Sequence, residues 1–358
     1  MTDLFSPLTF AHGPALKNRF VLAPLTNLQS NEDGSISEAE HAWLVKRALG
    51  GFGLTMTCAA QVQPAGRGFP GQLGAFSDDH LPGLARLAAA IKSEGSVAVM
   101  QLHHAGMRSP EALIGQKPLC PSDNEEFGAR AMTLAEVEQT SADFVAAAVR
   151  AQKAGFDGVE FHGAHGYLLC QFLSAEVNHR TDRYGGTLEN RARLIFDIID
   201  ETRARCGAGF NIGLRLSPER FGMQLAEVRE IAQRLMREGK IDYLDMSLWD
   251  VFKEPSDEAF KGRTLASYFT DLERGGVRLG AAGKIYTGAQ AQQTLDLGFD
   301  FAVIGRGAIV HHDFPNRVAQ KRDFAPPPLP VTAEHLRAEG TSETFVNYLR
   351  GFKGFIAA

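Results

Sequence analysis

The sequence predicts an α/β fold, a (β/α)8 TIM barrel in a single domain with long β→α loops on its catalytic face. Three observations carry that prediction. Eight short β-branched or apolar runs alternate with longer helical patterns between residues 19 and 307. Several of those runs are almost continuously apolar, as strands of a parallel sheet covered on both faces must be. Three of the connections that follow a strand are long, and loops of that kind lie on the catalytic face of a barrel.

The strands are taken in order. They are "RFVLAPL" (19–25), "GLTMTCAAQV" (53–62), "SVAVMQLH" (96–103) and "GVEFHG" (158–163). They continue with "NIGLRLS" (211–217), "YLDMSL" (243–248), "GKIYTG" (283–288) and "FAVIGRG" (301–307). Helical patterns fill the intervals near 37–49, 79–94, 133–155, 188–206, 225–239 and 288–297. Ser37 with Glu40, and Thr133 with Glu136, have the spacing of capping boxes. The second of these helices carries Leu134, Val137, Phe144, Val145 and Ala148 on one stripe and ends at Gly155. The long connections are 104–132, 164–187 and 249–275. The barrel is assigned to residues 1–324. The Pro-rich "APPPLP" and a helical tail over 332–350 make up the remainder, 325–358.

An open doubly wound sheet is the rival architecture. It usually shows a Gly-rich dinucleotide fingerprint after its first strand. Here "GFG" at 51–53 precedes a strand and lacks the third glycine, at Met56.

Composition narrows the function classes. Of 358 residues, 44% are apolar and 22% charged, as in ordinary globular proteins, and the net charge is −5. No basic block is present, so nucleic acid and anionic membrane are unexpected partners. No apolar run approaches a membrane span, and the N-terminus lacks the features of a signal peptide. Cys58, Cys120, Cys170 and Cys206 lie far apart with no C-x-x-C, which fits a reducing cytoplasm.

In a barrel, polar residues at the C-terminal ends of strands are the candidates for chemistry. Strand one ends in Ala23-Pro24-Leu25-Thr26, and strand two carries Ala59. Strand three ends in Gln101-Leu102-His103-His104. Strand four leads into His162, His165 and Tyr167, and strand five carries Arg215. Gly283 and Gly305-Arg306 belong to the last two strands. Glycine N–H groups with a guanidinium suit a phosphate dianion. The two histidines with Glu160 are compatible with zinc, and the same histidines are compatible with an anion site. One of His103 and His104 is expected to face the barrel and the other the helices.

These residues carry a family resemblance. "LKNRFVLAPLT", "RALGGFGL", "QLHHAG", "GFDGVEFHGAHGYLLCQFLS", "NHRTDRYGGTLENRARL" and "FAVIGRGAI" follow in order from residue 4 to about 317. Together they resemble the Old Yellow Enzyme family of FMN-dependent ene-reductases. The resemblance implies non-covalent FMN and NAD(P)H as co-substrate. It implies that Ala23, Pro24, Leu25, Thr26 and Ala59 line the flavin. Gln101 would meet the pyrimidine edge, and Arg215 would sit beside N1 and O2. His162 would also touch the flavin. Gly283, Lys284, Gly305 and Arg306 would hold the phosphate. His162 and His165 would aim two N–H donors at one oxygen of an activated alkene, and Tyr167 would supply the proton. The physics agrees with these roles. A fixed cation favours the reduced flavin's charge, and imidazole donors strengthen as enolate charge develops.

The sequence departs from the family pattern in places. Thr26 stands where this His/His branch often has cysteine. Met107 interrupts the family's "HAGR", with Arg108 one residue later. "RTDRYGG" reads as a structural turn cluster. "YLRGF" (348–352) resembles a tail motif that reaches a neighbouring subunit in some relatives, so a homodimer is possible. The rival activities are amine or N-methyl oxidation on the same fold and a zinc-dependent barrel hydrolase.

Overall fold

The computed structural model describes residues 2–357. Its barrel strands are β1 (Phe20–Leu22), β2 (Leu54–Met56), β3 (Val97–His103) and β4 (Gly158–Gly163). They continue as β5 (Asn211–Leu216), β6 (Tyr243–Ser247), β7 (Arg278–Ala282) and β8 (Phe301–Ile304). Each pairs in parallel with the next, and β1 closes the ring against β8 with Phe20 opposite Ala302. The outer helices are α1 (Glu38–Leu49), α2 (Leu81–Ser93), α3 (Leu134–Lys153) and α4 (Leu188–Cys206). They are followed by α5 (Leu225–Glu238), the single turn α6 (Ser267–Thr270), α7 (Gly288–Asp296) and α8 (Phe314–Gln320). No described helix is long and apolar enough to cross a membrane.

The capping signals are realised unequally. Thr133 accepts from the Glu136 amide, and the Glu136 carboxylate accepts from the Thr133 amide at 2.8 Å, which completes the box on α3. Ser37 caps α1, but Glu40 does not reciprocate. Its carboxylate turns into the core, where Ser30, Asn27 and Cys58 donate to it. Burial raises its pKa against those three hydrogen bonds.

Strand seven lies upstream of its expected place. The strand is Arg278–Ala282, and "GKIYTG" is the loop after it. Lys284 takes φ +52, which a strand does not accommodate. The true strand is poor in bulky residues because Gly280 faces the Phe301 ring, and a Cβ there would lie 1.9 Å from it. The expected second strand is broken into Leu54–Met56 and Ala60–Gln61. The expected tail helix is two helices, α9 (Ala333–Ala338) and α10 (Glu343–Arg350), separated where Gly340 takes φ +84.

The N-terminal end of the barrel is filled by Val21, Leu54, Val97, Tyr243, Phe301 and Val303. A ladder between Leu8 and Leu16 plugs it from below. Phe301 meets Tyr243 edge-on at 5.7 Å. The tail packs on the flank of α1, where Trp43 meets Phe345 at 5.5 Å and the Ser342 hydroxyl donates to Gln29 at 2.5 Å.

Candidate active site

One layer above that apolar floor the barrel interior becomes polar. Register places Gln101 beside Glu160, and Arg215 beside both His162 and Asp245. Gln101 Nε2 donates to Glu160 Oε1 at 2.7 Å, and Arg215 Nε lies 3.1 Å from Asp245 Oδ2. Burial pushes Glu160 up to about 8; Asp245 adds to the rise, while Arg215 and Gln101 oppose it. Among the described residues, neither Arg215 Nη atom nor Gln101 Oε1 has a protein hydrogen-bond partner. The sealed atoms here that lack a hydrogen bond are Arg215 Nε, Glu160 Oε2 and both Asp245 oxygens, so the Arg215 Nη atoms and Gln101 Oε1 remain open to a ligand.

His162, His165 and Tyr167 follow directly on β4. His162 Nδ1 accepts from the Ala164 amide at 3.2 Å. Burial holds both imidazoles well below their ordinary pKa, and Arg215 and Arg108 lower them further. A neutral His162 therefore carries its proton on Nε2. That N–H donates to His165 Nδ1 at 3.3 Å, and His165 Nε2 in turn donates to Ser247 Oγ at 2.7 Å. The two rings are thus linked in series, whereas the sequence predicted two donors converging on one open point. His165 holds φ +61, and its amide is fixed by Ser217 Oγ at 3.0 Å. Such a backbone is costly for a non-glycine residue and clusters at functional sites.

Tyr167 lies in an aromatic and cationic nest. Its ring is 4.3 Å from that of His103 and 5.1 Å from that of His162. The Arg108 guanidinium lies 4.7 Å over its face and donates to the His165 carbonyl at 2.5 Å. The displaced arginine after Met107 therefore still reaches the site. His103 faces the site, held by Gln72 at 3.0 Å, while His104 binds the Gly106 amide and packs on Gly66. Burial pushes both down to about 3, so both are neutral.

The ends of β7 and β8 form a second feature. Gly283 takes φ +149, and a Cβ there would lie 2.8 Å from the backbone of Trp249 and Asp250, so only glycine fits. At Gly305 a Cβ would meet only Leu25 and Ala23, no nearer than 3.7 Å. Arg306 is exposed, with no ion pair among the described residues. The Lys284 ammonium, in contrast, pairs with Asp250 at 3.0 Å. Pro24, Leu25 and Thr26 are half-buried beyond the end of β1, and Ala59 is buried beyond β2. The open corner, the free guanidinium and the unpartnered atoms of Gln101 and Arg215 fit an anionic, hydrogen-bonding ring cofactor such as FMN.

Ser247, Ser217, Gln72 and Trp249 were not singled out in the sequence, and Arg108 and Tyr348 were noted there without a place in this chain's site. Ser247 ends β6 and Ser217 directly follows β5, so a rule applied to every strand end would have found them. Gln72, Arg108 and Trp249 arrive on loops. Tyr348 arrives on α10, where burial and the nearby Tyr167 raise its pKa. The "RTDRYGG" cluster is structural, as expected. Arg180 pairs with Asp182 at 2.5 Å and donates to the Pro121 and Met132 carbonyls. The zinc reading fails on geometry. The Glu160 carboxylate is bound by Gln101, and the three proposed ligands do not gather among the described residues. A groove of about 820 Å³ lies outside the barrel, between α5 and residues 260–268, away from all these groups.

Comparison with known proteins gives a consistent picture. The family model described as NADH:flavin oxidoreductase / NADH oxidase matches residues 3–324. A probable NADH-dependent flavin oxidoreductase, YqiG of Bacillus subtilis, is 38% identical, over 89% of this chain and 88% of that one. The solved Old Yellow Enzyme homologue of Zymomonas mobilis superposes with a TM-score of 0.81 at 28% identity, over 96% of this chain and 99% of that one. Morphinone reductase in complex with tetrahydroNAD also gives 0.81 at 28% identity, over 96% and 97%.

Proposed function

The chain belongs to the NADH:flavin oxidoreductase / NADH oxidase family of Old Yellow Enzyme homologues, and from that premise we propose that it is an ene-reductase. It would use NAD(P)H to reduce activated C=C bonds of unsaturated carbonyl, imide or nitro compounds. When bound, FMN supplies hydride exchange with nicotinamide and alkene in turn. Gln101, Arg215, Gly283, Lys284, Gly305 and Arg306 would hold it, with Ala23 to Thr26 and Ala59 against its ring. The barrel of residues 1–324 would carry this chemistry, and 325–358 would serve as connection and tail.

The observation that carries the reading is the neutral histidine pair beside Tyr167, above unpartnered Arg215 and Gln101 atoms. A neutral imidazole donates to an oxygen without fixing it as a permanent ion pair. The substrate oxygen replaces the 3.3 Å link and accepts from His162 Nε2. It draws His165 Nε2–H from Ser247 in the same exchange. Both bonds strengthen as negative charge develops on that oxygen. Tyr167 delivers the proton to carbon, and Arg108 over its face steadies the phenolate that results.

The purified protein should be yellow and should bleach anaerobically on addition of NAD(P)H. Tyr167→Phe should leave that bleaching intact and slow alkene reduction by roughly 10²–10⁴-fold, the usual worth of a general acid. Unchanged alkene turnover would remove Tyr167 from the reaction. Flavin reduction by an amine, but not by NAD(P)H, would transfer the protein to the oxidative branch of the fold.

A further inference from the structure

Away from the strand ends, the junction between the barrel and the tail brings together three ligand-type side chains. His311 and Asp313 sit between the one-turn helix Arg306–Val310 and α8, and Glu339 ends α9. His311 Nδ1 lies 3.7 Å from Asp313 Oδ1 and 3.7 Å from Glu339 Oε1, and all three atoms fall within 4.8 Å of one another. His311 Nδ1 and Asp313 Oδ1 are shielded from water and have no hydrogen-bond partner. The second oxygen of each carboxylate and the flanking His312 and His335 are engaged elsewhere. Glu339 Oε2 accepts from the His312 amide and pairs with its Nδ1, Asp313 Oδ2 pairs with Arg317, and His335 Nε2 bonds the Val310 carbonyl.

An ordinary imidazole–carboxylate pair would close to about 2.7–2.9 Å on one oxygen. Here the nitrogen stands off equally from two. Bonds of 2.0–2.2 Å to a tetrahedral zinc ion set its ligand atoms about 3.4 Å apart. The two separations from His311 Nδ1, at 3.7 Å, lie within a few tenths of an ångström of that spacing. One imidazole nitrogen and two carboxylate oxygens suit a divalent transition ion.

We propose that His311, Asp313 and Glu339 form a binding site for one divalent transition-metal ion, with water completing the coordination. The ion bridges the end of the barrel to α9. It staples down the tail that carries Tyr348, and it has no part in hydride transfer.

The test uses tag-free, flavin-loaded protein stripped of metal and titrated with Zn²⁺ by calorimetry, then with Co²⁺ by visible absorption. The expected result is one ion per chain, a tetrahedral Co²⁺ spectrum, and a melting temperature that rises with Zn²⁺. His311→Gln and Asp313→Asn should each weaken binding by about tenfold or more, abolish that rise and leave flavin content unchanged. Wild-type protein that binds no stoichiometric ion would overturn the proposal, as would variants that bind as tightly as wild type.

Discussion

At the N-terminal end of the barrel, Val21, Leu54, Val97, Phe301 and Val303 meet in a dry, plugged core. At the other end, Gln101, Glu160, Arg215 and Asp245 occupy the same interior with several atoms unsatisfied. β3 and β6 run through both, with Val97 and Tyr243 below and Gln101 and Asp245 above, so the backbone supplies the same scaffold to each. What differs is the side chains. Each unpartnered buried polar group costs on the order of 1–3 kcal/mol. The upper end tolerates that cost because the lower end and the outer helices hold the fold. This division, stability below and chemistry above, is the general pattern of the barrel.

The largest expected effect tests the floor. Phe301→Ala should destabilise the protein by about 3–5 kcal/mol, with flavin still bound by the molecules that fold. Loss of flavin at unchanged stability would contradict the division. Next is Gly280→Ala, whose new methyl meets the Phe301 ring. Overpacking of this kind costs about 1–3 kcal/mol. In the Phe301→Ala background the cost should shrink, because the ring it strikes is gone. An undiminished cost in the denaturation midpoint would show that the clash is elsewhere.

A pH comparison separates the layers. The pKa of Glu160 rises on folding, so the folded protein binds that proton more tightly than the unfolded chain. The resulting stability is present at low pH and is lost as pH rises from about 4.3, the unfolded value, to about 8. Urea midpoints should fall between pH 5 and pH 8 in the wild type and fall less in Glu160→Gln; equal declines would remove Glu160 from the account. The smallest effect is Ser247→Ala, which removes the acceptor of the half-buried His165 N–H and leaves it to water. It should lower stability by about 0.5–1.5 kcal/mol with flavin content unchanged, and a change in flavin binding would place Ser247 in the cofactor site.

Much of this was legible in the chain. Continuous apolar runs marked seven of the eight strands, and Thr133 with Glu136 marked the start of α3. Strand seven was missed because "RLGAA" is nearly featureless: its small residues answer to Phe301, 21 residues after Gly280 in the chain. Glu40 was misassigned because spacing cannot tell a carboxylate that caps from one that turns into the core. In the site, strand-end polarity with the family motifs located Gln101, His162, His165, Tyr167 and Arg215. Ser247 lay at a strand end and Tyr348 in the quoted "YLRGF", but their place beside the site, like that of Gln72, depends on which strand, loop or tail folds beside β4.

By itself the sequence determined the fold class, the family and the strand ends at which the chemistry would lie. Periodicity and short motifs are local, and they survive in one dimension. Only the tertiary structure decided that the two histidines are linked in series to Ser247, and that Arg108 covers Tyr167. It alone brought His311, Asp313 and Glu339 together. Those facts depend on distances between segments far apart in the chain, and burial, not residue type, sets the charge each group carries.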